Sequence, residues 1–198
     1  YMSCLTYKKL DGMECGSGKV LNTSQRQWFY WWSHNISKEM ETFQCINNQM
    51  ISISDKQYNF TQTYSQFNIS ESSNLTGTFV PSNPQKTPKS MIVVNQFGDK
   101  KQHTLMFWDG MYCSVYYVDL LDNRISEENP ICELYLYDKR VDSGPTESCL
   151  KFYETKCKEK NLVYYNYCKY LPTLPPYTGN VSDYPDYTDS TELNEVGP

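Results

Sequence analysis

Histidine is scarce in this sequence of 198 residues: only His34 and His103 occur. No two cysteines stand in a CxxC spacing, so the usual imidazole and thiolate set for zinc is missing and no metal is expected. No Ser/His/Asp pattern is present, so no nucleophile–base pair emerges and the protein is not expected to be an enzyme. The adjacent acids Glu127 and Glu128 lie in a turn-like stretch and read as solvated surface. A run of about 18 apolar residues is lacking too, so no membrane span is expected. The chain begins at Tyr1 with no leader-like segment, as a mature or trimmed form would. Basic residues are outnumbered, 18 Lys and Arg against 23 Asp and Glu, for a formal charge of −5. Nucleic-acid binding needs a basic surface and is not expected.

The charge is also uneven. After Lys169 no Lys or Arg follows, while Asp183, Asp186, Asp189, Glu192 and Glu195 do. The body before them is neutral, and the tail carries the excess.

Eight cysteines, an even number spread along the chain, point to four disulfides. Asn22, Asn35, Asn59, Asn68, Asn74 and Asn180 each open an N-x-S/T triplet without proline, the acceptor pattern for N-glycans. Together these features imply secretion into an oxidising, extracellular setting. Tyrosine is abundant, 18 residues beside 8 Phe and 4 Trp. Such rings bury apolar area while keeping a hydrogen-bonding tip, which suits pockets as well as strands.

Three segments are expected. Residues 1–24 read as an N-terminal loop closed by Cys4 and Cys15. Residues 25–170 read as successive strands, starting at "WFYWW" and continuing through 43–67, "LTGTFV", "MIVVNQF", "HTLMFW", "YCSVYYVDLL" and "ICELYLY". About eight strands joined by short turns imply an antiparallel barrel or sandwich. A helix follows in "GPTESCLKFYETKCKEK", with Pro145 and Thr146 at its start, Glu147 in its first turn and lysines at its end. "LVYYNYC" reads as a last short strand. Residues 171–198 lack core-forming residues and read as a disordered acidic tail holding Tyr184 and Tyr187.

In order, "YCSVYYV", "CELYLY", "PTESCLKFYETKC" and "VYYNYC", with "FQC" at 43–45, resemble the tick salivary lipocalins, the group that includes the histamine-binding proteins. The resemblance covers about residues 28–169. It implies a mainly β fold, an eight-stranded antiparallel lipocalin barrel with a C-terminal helix packed outside. It also implies the pairs Cys45–Cys168, Cys113–Cys149 and Cys132–Cys157, which leaves Cys4 with Cys15. If Cys113 and Cys132 bond to an external helix, alternation turns Ser114, Tyr116 and Val118 inward, with Glu133, Tyr135 and Tyr137.

A carboxylate inside a barrel must be paired or hydrogen-bonded, by neighbouring tyrosines, by water or by a ligand. Glu133 and Tyr135 are the leading candidate ligand contacts. Tyr116, Phe107, Trp108, Ser114 and Trp31 complete the set, with Met106 adding to the apolar character of the strand. In amine-binding members of the family, a CD[VIL] motif and an EL[WY] motif grip a cation. Glu133, Leu134 and Tyr135 match the second, but Ser114 replaces the acid of the first. A lipid, sterol or other mostly apolar host mediator is therefore the favoured ligand, with histamine or serotonin as the alternative. A basic host protein such as a chemokine, a complement component or a protease, met through the outer surface or the acidic tail, is the reading from a different class. No cofactor is expected, and the state is expected to be monomeric.

Overall fold

The computed structural model describes residues 16–33, 43–66, 69–81, 88–95, 98–121, 131–157 and 159–171. Cys4, Cys15, Asn35, Asn68, Asn180, Tyr184 and Tyr187 lie outside them, so the expected Cys4–Cys15 bridge and the tail after residue 171 fall outside the described residues. The chain runs through α1 (Ser17–Leu21), β1 (Gln27–Trp32), β2 (Gln44–Ile53), β3 (Gln57–Gln66), β4 (Ile69–Val80), β5 (Ser90–Val94), β6 (Lys100–Trp108), β7 (Cys113–Leu120) and β8 (Ile131–Tyr137). The helix α2 (Glu147–Lys156) and the short β9 (Asn161–Leu162) follow.

Strands β2 to β8 pair antiparallel in chain order, β8 pairs with β1, and β1 returns to β2. The sheet thus closes into an eight-stranded antiparallel barrel, the architecture that short strands with alternating patterns require if no edge is to stay open. The closing seam is thin. β1 meets β2 only at Gln27–Asn48 and Trp28–Asn47. Beyond that point the chain after α2 takes over: Asn161 and Leu162 pair with Trp32 and Trp31. Val163 then donates its N–H to the Tyr30 carbonyl and accepts the N–H of Cys45 on β2. Its side chain packs into the barrel interior.

The bonds Cys132–Cys157 and Cys45–Cys168 bracket this stitch. Cys45 itself has φ +56°, a left-handed conformation that non-glycine residues adopt only when their surroundings enforce it. The strand expected over "LVYYNYC" is therefore mostly something else. Only Asn161–Leu162 is strand, and Asn166–Tyr170 coils into a 3-10 helix that brings Cys168 back to Cys45.

One end of the barrel is plugged by α1, which precedes the barrel boundary expected at residue 25. Val20 and Leu21 enter the interior clusters, and the Val20 carbonyl accepts hydrogen bonds from Tyr137 Oη and Gln27 Nε2. On the outside lies α2. Thr146 caps it by accepting the Cys149 N–H, and Asp109 ties it to the β6–β7 turn. Asp109 Oδ1 accepts the N–H groups of Met111, Tyr112 and Cys113, while Oδ2 accepts the Thr146 hydroxyl at 3.0 Å. Beneath the helix Cys113, Val115, Cys132, Leu134, Leu136, Cys149 and Tyr153 form a buried layer.

Candidate functional site

Strand polarity decides what faces the hollow. Cys113 is bonded to Cys149 and Cys132 to Cys157, so both point out toward α2. The alternate residues turn inward: Tyr116, Val118 and Tyr135 join Val20, Phe29, Trp32, Leu105, Ile131 and Val163 in one interior cluster. Ser114 and Glu133 are buried on that same inner side of β7 and β8. Toward the opposite wall, Tyr58, Phe60, Leu75, Phe79, Met91 and Val93 form a second interior cluster with Leu21.

Two of the expected ligand contacts are elsewhere. Phe107 stacks on Phe152 of α2, with ring centres 4.9 Å apart, in the layer outside the barrel. Trp31 also lies outside, 5.6 Å from the Tyr153 ring and with the Lys160 ammonium 4.9 Å above its own. Both departures have the same cause. Register shifts between Leu105 and Phe107 and between Phe29 and Trp31 insert an extra residue into each strand. A bulge of this kind reverses the in–out parity of everything after it. The same shift keeps Trp108 against the interior cluster, where Lys19 of α1 sits 5.8 Å from its ring.

Glu133 is 3 % exposed, and its hydrogen bonds converge on one oxygen. Tyr135 Oη donates to Oε2 at 2.8 Å, and His103 Nε2 lies 3.2 Å from it. Burial alone would raise the Glu133 pKa. The charge and hydrogen bond of His103, the nearby Lys101 and the Tyr135 hydroxyl outweigh that, so the carboxyl titrates below its usual range. The pair is an ion pair whenever His103 is protonated. Burial, and then the Glu133 charge, push the Tyr135 phenol well up, which keeps it a neutral donor.

His103 was not among the expected contacts. Its signal was available in the alternation of "HTLMFW": His103 shares the inward face with Leu105 and pairs with Val118 across β7.

Next to this pair lies a partly open cavity of about 30 Å³. One wall is a row of carboxamides, Gln27, Asn48 and Gln62, placed side by side by the registers Gln27–Asn48 and Asn48–Gln62 on β1, β2 and β3. Another consists of His103, Tyr116 and Tyr135, and Leu21, Phe60, Met91 and Val93 complete the lining. Gln62 Nε2 donates to Asn48 Oδ1 at 3.0 Å. A Cβ on Gly77 would meet the Met91 sulfur at 3.0 Å, so the glycine leaves Met91 the space it occupies.

Several buried polar atoms of the interior have no hydrogen-bond partner of good geometry among the described residues: His103 Nδ1, the Tyr116 and Tyr58 hydroxyls, Ser114 Oγ and Trp108 Nε1. Burial raises the Tyr116 phenol well above its ordinary range, and the neighbouring phenols of Tyr137 and Tyr58 add to this. The Ser114 hydroxyl beside it, acting as a hydrogen-bond partner, opposes the rise.

A closed antiparallel barrel with a plugged end, a helix outside and polar groups facing a hollow defines a lipocalin-type ligand binder. The family described as tick histamine binding protein matches residues 17–170, and the chain belongs to that family. Japanin from Rhipicephalus appendiculatus, solved bound to cholesterol, superposes with a TM-score of 0.55 at 13 % identity, over 73 % of this chain and 94 % of japanin. AM182, solved as a serotonin complex, superposes with a TM-score of 0.57 at 15 % identity, over 84 % of this chain and all of AM182. At such identities the likeness is one of fold. No curated protein matches this sequence closely.

Proposed function

We propose that this protein is a secreted, glycosylated lipocalin that sequesters a compact host mediator in its barrel, without altering it chemically, and so blunts inflammation or immunity at the tick's bite. The observation that carries this reading is the set of unpartnered polar atoms inside a closed barrel. Each costs roughly 1–3 kcal/mol when buried unpaired, a cost that a barrel packed only for stability avoids by using apolar residues. A ligand in the cavity supplies partners for the two such residues that line it, His103 and Tyr116.

The three disulfides among the described residues fit an oxidising compartment. The sequons at Asn22 and Asn74 lie on exposed residues, and Asn59 alternates with the inward Tyr58 and Phe60. Size favours a compact ligand over the mostly apolar mediator that the aromatic content pointed to. With Phe107 and Trp31 outside, and a cavity of about 30 Å³, a sterol or long acyl chain would need many interior rings to move.

Native mass spectrometry of the protein after exposure to host plasma tests the reading. A non-covalent small-molecule adduct that disappears on denaturation is expected. A protein that emerges bare from repeated exposures would refute sequestration.

A further inference from the structure

We infer that the ligand held by this barrel is a neutral, hydrogen-bonding ring, such as a purine base or heteroaromatic carboxamide, and that His103 rather than Glu133 contacts it. This rests on the sequestration reading above. Glu133 lies outside the lining of the cavity, and His103 and Tyr135 are both directed at its Oε2. Lys101, two residues before His103 on the same face of β6, adds a further positive charge to its field. An arriving ammonium would meet a carboxylate already compensated by His103 and Tyr135, with Lys101 to repel it.

Among the described residues the lining holds carboxamides, phenols, apolar side chains and the His103 imidazole, with no Asp, Glu, Lys or Arg. Carboxamides offer two donors and a carbonyl each, phenols one of either kind, and a neutral imidazole one donor and one acceptor. Because the ionised Glu133 can only accept, Nε2 of His103 carries the proton it donates, and Nδ1, buried and without a partner among the described residues, stays available to a ligand. Glu133 is then a positioning residue that fixes the ring and tautomer of His103. Space is the remaining requirement. Met91, with its three rotatable bonds, is the lining residue best able to swing aside.

Titration calorimetry of the intact glycoprotein with adenine, histamine, oleate and cholesterol tests the inference. Adenine binding is expected, with the other three weaker by at least about tenfold. Tyr116→Phe removes an unpartnered buried hydroxyl, so it is expected to leave the thermal midpoint unchanged or raised while weakening adenine roughly two- to tenfold. Glu133→Gln is expected to shift the ¹⁵N imidazole resonances of His103 away from the Nε2–H tautomer, a signature that a merely structural role would not move.

Histamine binding that needs Glu133 would overturn the inference and leave sequestration standing. So would preferential uptake of oleate or cholesterol. Binding of none of the four also overturns it, and the plasma-exposure measurement then decides sequestration independently.

Discussion

The layer beneath α2 and the hollow of the barrel share β7 and β8, yet their chemistry is opposite. Outward-facing residues of these strands are cysteines bonded to α2 or its C-cap, or aliphatic side chains buried to zero exposure. Inward-facing ones include a serine, a glutamate and tyrosines beside Val118 and Ile131, and the Ser114 and Tyr116 hydroxyls find no partner of good geometry among the described residues. The difference teaches that stability and recognition have been separated across one sheet, two sides of the same backbone. The helix-side layer is the rigid support. The inner face carries buried polar atoms whose missing partners cost stability.

The sharpest way to break this comparison is at Phe107, which was expected among the ligand contacts and which the bulge places outside. Phe107→Ala is expected to cost about 3–5 kcal/mol in urea denaturation, since it empties a stacked, buried position against Phe152. Ligand affinity of the molecules that remain folded should not change. A fall in affinity with little loss of stability would return Phe107 to the pocket and erase the division.

A smaller effect distinguishes the inner face by its response to acid. The groups facing Glu133 are His103, Lys101 and Tyr135. Since its folded pKa lies below the unfolded one, Glu133 contributes stability that is fully present above the unfolded carboxylate pKa of about 4 to 5. That contribution falls away as pH drops through the still lower folded value. Glu133→Gln is therefore expected to cost roughly 1.5–3 kcal/mol at neutral pH, the range for hydrogen bonds to a charged group. The gap between variant and parent should narrow below about pH 4. A gap that widened in acid would mean that the carboxyl is held neutral in the fold.

Much of the architecture was legible because it is written in local pattern. Alternation and turn residues marked β2 to β8, and Pro145, Thr146 and Glu147 marked the start of α2. The resemblance supplied the three pairs Cys45–Cys168, Cys113–Cys149 and Cys132–Cys157, and these pairs are bonded in the structure. They orient Glu133, Tyr135, Tyr116 and Ser114. The positions of Trp31 and Phe107 were illegible because a bulge leaves no mark in composition: one extra residue inverts parity, and only the register across β7 or β8 reveals it. His103 and the row Gln27, Asn48 and Gln62 were missed for a related reason. They belong to strands distant in sequence, and only closure of β1 onto β2 sets the carboxamides side by side.

The smallest of these effects concerns the edge of the helix-side layer. The Thr146 hydroxyl accepts the Cys149 N–H and donates to Asp109 Oδ2, so one oxygen joins the α2 N-terminus to the β6–β7 turn. Thr146→Ala removes a helix cap and is expected to cost about 1 kcal/mol, with Thr146→Ser restoring most of it. Because Asp109 keeps its three backbone donors, the turn should stay folded in the alanine variant. The loss should then appear as faster amide exchange in the first turn of α2, while the amides of the inner-face residues on β8 exchange as before. Faster exchange that spread to Glu133 and Tyr135 would show that α2 sets the geometry of the hollow directly, and support and recognition would no longer be separable.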